Sequence, residues 1–479
     1  MAIAIKQEPK YNLVPAGSDI IYTVYDDANI AGNFKIKYIA EVYVKHNTTN
    51  ITSTANRVAV LKASPNATGR GIFNLRSILE NYVSPDYEGG VIHTQTNSFF
   101  SQYNGVSYSD SAPHTIHQID DFSTNRNSVR YVRVKFKIEY STTATGQVSI
   151  DTGNEQLGAK FLIYNGVLND TDILNFDNDG FGFNLGYEQV INNSSGDKFL
   201  TNAPKTQYIR TNDYMTIPFF SQYNDDFTVG SGSATQPAVK KIEIQFYYNG
   251  STTGSLITKT VSPTNGGHFG YLTESAVKLQ FAGIGTGNLV GAGETVPTNW
   301  DYYTVRAKDD ADQNISDIYY IYKQEDDCKG FETIRLCWLN KYGTWDYYNF
   351  TKKSTRSFSA NRKRYKQIAG SWNKSVFRLR DHRGGHKHFD TNITEQITIN
   401  TDYITEAESE WLEELFISTD VYMLNQRSTD SATQGYSRKY IEPVTLNTTS
   451  FTRRTKANDR LIQHTIVLDK TRTKRTQRI

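Results

Sequence analysis

The sequence predicts an all-β protein, built as several β-sandwich-like domains with extended loops and arms. Aromatic residues make up 13% of the chain, with 32 Tyr and 24 Phe against 3 Met, and such residues fit the half-buried surface of a pleated sheet. Apolar and polar residues also alternate along many short segments, the period of a strand with one buried face. Strands and helices do not alternate along the chain, which argues against a parallel α/β fold.

The length predicts two to four domains, because 479 residues exceed what a single hydrophobic core supports. We expect an N-terminal β-sandwich-like domain over 1–85 and a second β domain with a long loop insertion over 86–230. A Gly- and Ser-rich linker at 230–237 then leads to a third β domain over 238–350. The remainder, 351–479, is predicted to hold a basic arm, a capped helix and the final strands.

The N-terminal domain is predicted to hold three strands and one short helix. Partial alternation predicts strands over Asp19–Tyr25, Phe34–Val44 and Val58–Leu61. Apolar residues then recur at i, i+3, i+4 and i+7 from Leu75 to Tyr82, the spacing of one helix face. Pro85 ends this helix, because the residue before a proline avoids the helical region.

In the second domain the clearest predicted strand is Val129–Tyr140, whose apolar residues lie on one face and whose charged residues lie on the other. Lys160–Tyr164 and Phe199–Ile209 are predicted to continue the domain, and residues 86–125, rich in Ser, Asn and Gly, are predicted to form a long loop. In the third domain, strands are predicted over Lys241–Tyr248 and Ser316–Tyr322, with an irregular glycine-rich segment over 266–293 between them.

Residues 332–350 predict a β-hairpin that closes the third domain. An apolar run, Ile334–Leu339, and an aromatic-rich run, Trp345–Phe350, flank the turn sequence Asn-Lys-Tyr-Gly. Gly343 is the turn residue that can take a positive φ at little steric cost. The segment holds neither paired carboxylates nor a nucleophile beside a base, so we interpret it as a packed structural element.

Near the C-terminus the sequence predicts a capped helix over Glu406–Phe416. Thr405 is the predicted N-cap, and Glu408 three residues later completes a capping box. We expect Trp411 to anchor the helix on the C-terminal sheet. Leu461–Leu468 is predicted as a final strand before a basic tail.

Residues 351–388 carry twelve Lys or Arg and one acid, a local net charge of +11 in a chain of net charge +2. Three interpretations fit: a site for a phosphate-rich partner such as single-stranded nucleic acid, an arm that contacts an acidic surface of a neighbouring subunit, or a solvated strand face. We favour the arm, do not expect nucleic acid as a partner, and expect little order in the free chain. The candidate contact residues are Arg362, Lys363, Arg364, Lys366, Arg378, Arg380 and Arg383.

Two clusters could in principle bind metal. His382, His386 and His388 lie within seven residues, and three imidazoles can hold zinc or nickel, yet the two glycines among them favour a basic loop or an assembly contact. Four acids in the segment 170–179 suggest a calcium loop but lack its closing Glu, so we interpret them as turn-forming residues.

No nucleophile elbow, phosphate-binding loop or zinc-protease motif occurs, so we predict a protein that is not an enzyme and uses no metal or cofactor. Cys328 and Cys337 are predicted to be free thiols. The start of the chain shows no secretory signal, and no run approaches the roughly 20 apolar residues of a membrane span. We therefore expect synthesis in a cytoplasm.

Blocks near both ends resemble tail-associated virion proteins of tailed bacteriophages. The first comprises NFKIKYIAEVYV and GIFNLRSILENYV, and the second comprises IRLCWLNKYGTWDYYNF, GSW at 370–372, INTDYITEAESEWLEELFISTDVYML and LIQHTIVLDKTRTKRTQR. The resemblance implies a structural protein of the virion tail, assembled in the host cytoplasm and active in tail assembly and host attachment. A ring or adaptor at the tail tip or baseplate, or in the neck, would contact other tail proteins and copies of itself. The resemblance implies no catalytic residues.

An alternative within the same particle is a receptor- or glycan-binding module. In that interpretation exposed Tyr and Trp side chains would stack on sugar rings.

Overall fold

A computed structural model gives the fold of the protein. It describes residues 3–9, 13–46, 49–85, 116, 127–169, 199–220, 239, 241–260, 279–308, 312–324, 331–371, 374–424, 441–448, 450, 462–472 and 474–475. The chain divides into two compact units. Unit 1 comprises Met1–Gln324, Leu339–Asp346 and Arg427–Ser437, and unit 2 comprises Glu325–Trp338, Tyr347–Gln426 and Arg438–Ile479.

Strands dominate both units, which confirms the predicted all-β class. The strands up to residue 324 are β1 (Ala4–Gln7), β2 (Leu13–Pro15), β3 (Ile21–Tyr25), β4 (Phe34–Lys45), β5 (Arg57–Ala63), β6 (Arg70–Asn74), β7 (Val129–Ser141), β8 (Ser149–Leu157), β9 (Phe161–Tyr164), β10 (Thr206–Ile209), β11 (Thr216–Phe220), β12 (Lys241–Tyr248), β13 (Ser251–Thr260), β14 (Leu279–Gly283), β15 (Tyr302–Lys308) and β16 (Tyr319–Lys323). The later strands are β17 (Ile334–Leu339), β18 (Trp345–Phe350), β19 (Thr355–Gln367), β20 (Gly385–Asn400), β21 (Val421–Leu424), β22 (Ile441–Leu446), β23 (Thr465–Lys470) and β24 (Lys474–Arg475).

The described helices are short. They are α1 (Asp27–Gly32), α2 (Arg76–Leu79), α3 (Thr286–Gly291) and α4 (Glu406–Ile417), with 3-10 turns at Thr54–Asn56 and Glu80–Tyr82. Among the residues described, no helix is both long and apolar enough to cross a membrane.

The first part of unit 1 is a β-sandwich. A three-stranded sheet, β1-β3-β6, packs against a six-stranded sheet in the order β2-β9-β7-β4-β5, with β8 also paired to β7. Side chains from both sheets form one core, in which the Tyr22 ring lies 5.2 Å from the Phe136 ring and Phe73 lies 5.9 Å from Phe136. The predicted strand and helix segments of residues 19–85 and 129–164 are confirmed within a few residues.

The predicted domain boundary at residue 85 is wrong. Strands β4 and β7 are neighbours in one sheet, with Phe34 opposite Ser141 at one end and Lys45 opposite Tyr131 at the other. The predicted first and second domains therefore share a sheet and a core. Local sequence patterns do not reveal this pairing, because β4 and β7 are far apart in the chain and each has the pattern of an ordinary amphipathic strand.

A charge network covers the other face of this sheet and centres on Glu41, which is 6% exposed. Its carboxylate accepts a hydrogen bond from Tyr43 Oη at 2.7 Å and from Arg57 Nη1 at 2.9 Å. Lys137 Nζ donates to Glu41 at 3.2 Å and lies 3.0 Å from Glu155. Burial alone would raise the pKa of Glu41, but the hydrogen bonds from Tyr43 and Lys137 and the nearby cations outweigh burial and lower it.

The second part of unit 1 contains a five-stranded sheet, β10-β16-β15-β12-β13, and a two-stranded sheet, β11-β14. Strand β12 has the predicted bounds, whereas only the end of the predicted strand Phe199–Ile209 is a strand, β10. The described part of the glycine-rich segment, predicted to be irregular, instead forms β14 and α3. Phe199 contacts Phe219 and Tyr319, with ring centres 6.5 and 5.2 Å apart.

The predicted turn after β17 is confirmed, and it lies in unit 1. Asn340 Oδ1 accepts hydrogen bonds from the backbone N–H groups of Tyr342 and Thr344, and Asn340 Nδ2 donates to the carbonyl of Leu200. Gly343 has φ +72°, and a Cβ atom there would collide with the carbonyl oxygen of Asn165. Both the positive φ and this close approach require glycine.

Unit 2 is built on an eight-stranded sheet in the order β18-β17-β21-β22-β23-β20-β19, with β24 paired to β20. The predicted boundary at residue 350 is therefore wrong, because β17 and β18 belong to the same sheet as the strands that follow them. Proximity along the chain predicts that the hairpin belongs to the preceding domain, whereas hydrogen bonding to β21 places β17 with the later strands.

Helix α4 begins and packs as predicted. Thr405 and Glu408 form the capping box, and Trp411 is 4% exposed. The Trp411 ring lies 5.1 Å from Trp338 of β17 and 6.0 Å from Tyr348 of β18. The predicted final strand begins later than expected, as β23.

Several predictions concern residues outside those described: the loop at 86–125 apart from residue 116, the acidic segment 170–179, the linker at 230–237, and Cys328 and Trp372. Cys337 is a buried free thiol, and burial raises its pKa.

Replacing Trp411 with Ala should lower the stability of unit 2 by about 3–5 kcal/mol, because it empties the space between α4 and two aromatic side chains. Thermal and urea unfolding measure the change. The matched control is Tyr403→Ala, which removes an aromatic ring that is 61% exposed and should cost under about 0.5 kcal/mol. Equal stability of the two variants would show that α4 is not anchored by Trp411.

Replacing Glu41 with Gln should destabilise unit 1 by about 1–3 kcal/mol at neutral pH, because three donors lose a charged acceptor. The folded-state pKa of Glu41 lies below its unfolded value of about 4.3. Its contribution is therefore complete above about pH 5 and is lost as the pH falls through the folded pKa. The stability gap between wild type and Glu41→Gln should shrink in acid, and the exposed control Glu80→Gln should cost under about 0.5 kcal/mol at neutral pH. A pH-independent gap would contradict the prediction.

Candidate interaction arm

A long β-ribbon carries all the candidate contact residues. Strands β19 and β20 pair antiparallel from Thr355 opposite Thr398 to Gln367 opposite Gly385, a ladder about 40 Å long. Strand β20 also pairs with β23 and, at Asn392 and Ile393, with β24. Beyond Asn392 the ribbon has only two strands among the described residues. We call residues 362–391, the distal ribbon and its tip loop, the arm.

The arm is regular, so the expectation of little intrinsic order is wrong. Its backbone groups are paired across β19 and β20, with one register shift between Lys363 and Arg364. The arm has too few apolar residues for a core of its own, but main-chain hydrogen bonds order it and do not need a core. The eight-stranded sheet anchors the ribbon, since an isolated two-stranded ribbon is at best marginally stable.

The structure brings the seven predicted residues together on this arm. Arg362, Lys363, Arg364 and Lys366 are exposed on β19. In the tip loop, Arg378 and Arg380 are exposed and Arg383 is half-buried. Within the described part of the chain none of the seven forms an ion pair.

The structure places the three histidines among the cations of the arm. His386 and His388 lie on β20 directly opposite Lys366 and Arg364, and cations at those positions oppose a metal ion. His382 lies in the tip loop, where its carbonyl accepts a hydrogen bond from Lys387 Nζ at 2.8 Å. Among the described residues, no group of three His, Cys, Asp or Glu side chains is placed to hold a metal ion.

The tip loop presents apolar side chains to solvent, which the charge count did not reveal. The exposed fractions are 73% for Ile368, 59% for Val376, 65% for Phe377 and 75% for Leu379. The signal was present in the sequence, because these residues interrupt the basic run 366–383. Clustered exposed apolar residues mark interaction surfaces more often than isolated ones do.

Hydrogen bonds around Ser371 shape the tip loop. Ser371 N donates to the carbonyl of Arg378 at 2.9 Å, and Ser371 Oγ accepts from Arg378 N at 3.0 Å. Gly370, with φ +81°, allows the Phe377 ring to lie against the backbone where a Cβ atom would stand. The apolar tip is therefore held in place by its own loop.

A second exposed surface, in unit 1, is a row of four tyrosines across the wet face of the five-stranded sheet. Tyr208, Tyr322, Tyr302 and Tyr247 occupy directly opposed positions on β10, β16, β15 and β12. Successive ring centres are 6.0, 5.1 and 4.8 Å apart. Tyr320 lies beside this tyrosine row, 6.1 Å from Tyr302. The sequence shows each tyrosine but not the register that aligns them.

Most charges on the tyrosine-row face are paired, and Arg306 on the same face donates to the carbonyl of Ser316. Lys308 pairs with Glu243 at 2.8 Å, and Lys241 pairs with Asp312 at 2.6 Å. The hydrogen bond from Lys241 lowers the pKa of Asp312. This face therefore offers aromatic rings and hydroxyl groups without the excess positive charge that a phosphate polymer requires.

Unit 1 contains a cleft of about 440 Å³. Its lining residues are Gly17, Ser18, Asp19, Arg76, Val167, Leu168 and Asn169. Ser18 Oγ donates to the carbonyl of Leu168 at 2.9 Å, and no His or Cys lies beside it in the lining. The described lining residues therefore do not form the pair of nucleophile and base that covalent catalysis uses.

Comparisons with known proteins give no family. No family model matches the chain, and no curated protein matches it. One solved structure that matches is the native conformation of E. coli alpha-2-macroglobulin, at 10% sequence identity and a TM-score of 0.19. The match covers 83% of this chain and 22% of the macroglobulin, so this chain spans about a fifth of that protein's length. A TM-score this low does not establish a shared fold.

Proposed function

We propose that this chain is a non-enzymatic structural subunit of a phage tail, a ring or adaptor at the tail tip, baseplate or neck. It assembles in the host cytoplasm with copies of itself and with other tail proteins, and it serves virion assembly and host attachment. The resemblance of its terminal blocks to tail-associated virion proteins supplies the class of particle.

The observation that carries the proposal is the arm. The backbone groups of its strands are paired, but no second layer of the described residues packs against its side chains. Exposed cations surround an apolar tip, the combination of hot-spot and rim residues that protein interfaces use. A ribbon anchored at one end and exposed along its length is suited to contact a neighbouring subunit.

The test has two parts, beginning with immunogold labelling of intact virions and a polysaccharide-cleavage assay on the purified protein. We expect gold on the tail and no cleavage. Label absent from virions, or cleavage that is lost on changing one carboxylate, would overturn the proposal.

In the second part, the variant Arg362→Glu, Lys363→Glu, Arg364→Glu should fold normally, because all three side chains are exposed, but should fail to enter particles. The matched control reverses three exposed cations of unit 1, Lys6, Lys37 and Arg70. Normal incorporation of the arm variant would show that the arm is a solvated strand face.

The tyrosine row favours a second candidate function, a glycan-binding module of the same particle. Tyr208 is 50% exposed and Tyr320 is 36% exposed. The negative faces of aromatic rings attract the weakly positive C–H groups of a sugar ring, and the phenol groups can hydrogen-bond to its hydroxyls. The balanced charge of the tyrosine-row face fits a neutral polysaccharide better than an anionic one.

Affinity electrophoresis through gels that contain host cell-surface polysaccharide tests the second candidate. Retardation of the wild type should be lost in the double variant Tyr208→Ala, Tyr320→Ala and kept in Tyr403→Ala, an exposed tyrosine of unit 2. If the wild type runs at the same speed with and without polysaccharide, the tyrosine row serves sheet stability alone.

A further inference from the structure

We infer that the arm of one copy docks on helix α4 of a second copy of this chain. The inference rests on the proposed function, a subunit that assembles with itself, and it names the surface that receives the arm. Both surfaces belong to unit 2.

The receiving surface is an acidic stripe on α4. Residues 401–420 contain seven Asp or Glu and no Lys or Arg. Glu406, Glu410, Glu413 and Ile417 follow one another at i, i+4, i+7 and i+11, so they share one face of the helix. Glu406 and Glu410 are exposed, and Glu413 is half-buried. We call these four residues the acidic stripe.

The acidic stripe lies away from the packed side of α4. Trp411, Leu412 and Leu415 face the sheet and are buried. Ile417, at the end of the stripe, is 69% exposed, and Tyr403, just before the helix, is 61% exposed. The helix therefore offers carboxylates flanked by apolar side chains, which is the complement of an arm with cations and an apolar tip.

The arm and the acidic stripe are complementary both in charge and in apolar surface. The arm supplies Arg362, Lys363, Arg364 and Lys366 for carboxylates, and Ile368 and Leu379 for apolar contact. A phosphate polymer or an anionic lipid would satisfy the arm's cations but would leave the acidic stripe and the apolar side chains beside it without a contact. A second copy of the chain satisfies both surfaces with the same contact.

The sheet order makes this contact head-to-tail. The arm continues from β19, at one edge of the eight-stranded sheet, whereas Trp411 of α4 packs on β17 and β18 at the other edge. The end of β19 stands roughly 30 Å beyond the last pair of β20 with β23. A contact between two different surfaces of the same chain is heterologous, and its repetition closes a ring or extends a filament.

A charge-swap experiment tests the inference by sedimentation equilibrium of the purified full chain. The arm variant Arg362→Glu, Lys363→Glu, Arg364→Glu and the helix variant Glu406→Lys, Glu410→Lys should each weaken self-association about 10-fold or more. An equimolar mixture of the two variants should associate again, because reversed arms meet reversed helices. Wild-type association should weaken between about 0.05 and 0.5 M NaCl, as the Debye length falls.

Controls separate charge from folding. Reversal of Lys6, Lys37 and Arg70, or of the exposed acids Asp27 and Glu80, should leave association unchanged, and melting temperatures report the fold of each variant. If the Lys substitutions in α4 lower the melting temperature, the variants Glu406→Gln, Glu410→Gln and Ile417→Ser replace them. We expect these variants to weaken self-association several-fold.

Three outcomes would overturn the inference: a mixture that stays dissociated although each variant is folded, a wild type that stays monomeric at every concentration, or unchanged self-association of the arm variant. If the arm variant self-associates normally but no longer binds single-stranded DNA or phosphatidylserine vesicles that the wild type binds, the arm contacts a phosphate-bearing partner instead. Immunogold labelling of virions is independent of these results, so the proposed function can stand where this docking fails.

Discussion

Unit 1 depends on the pairing of β4 with β7. These long strands bring residues 34–45 beside residues 129–141, and closing so long a stretch of chain costs conformational entropy. The cost is offset on both faces of the pair. One face contributes Tyr38, Val42, Val134 and Phe136 to the sandwich core. The other face carries the network around Glu41, whose charge is matched by Arg57 and Lys137.

The arm shows the same strand chemistry without a second layer. In the sandwich, the inward-facing apolar side chains of β4 and β7, such as Val42 and Phe136, lie in the core between the two sheets. Phe358 of β19, just before the arm, and Leu379 at the tip of the arm are 61% and 75% exposed. Backbone pairing keeps the ribbon regular, and β23 and β24 hold its base, but nothing in the described chain covers its side chains. Such a surface is stable alone and gains buried area only on contact with a partner.

Net charge conceals the main electrostatic feature of the chain. The value of +2 for the whole chain contains a segment of +11 at residues 351–388 and a segment of seven acids without a base at residues 401–420. Exposed charges farther apart than about 8–10 Å are largely screened at physiological ionic strength, so each segment acts as a local surface. Segregated charge of this kind sets the orientation and the rate of association more than it sets the fold.

The sequence alone determined the fold class, the alternating faces of Val129–Tyr140, the glycine of the Asn340–Gly343 turn and the capping box of α4, because each depends on neighbours within a few residues. It also located the seven cations of the arm. Tertiary structure decided which strands pair: β4 with β7 across the expected boundary, β17 with β21, and the four tyrosines in one row. These depend on hydrogen bonds between distant segments, for which periodicity carries no information. The regular structure of the arm likewise depends on backbone pairing, which amino-acid composition does not predict.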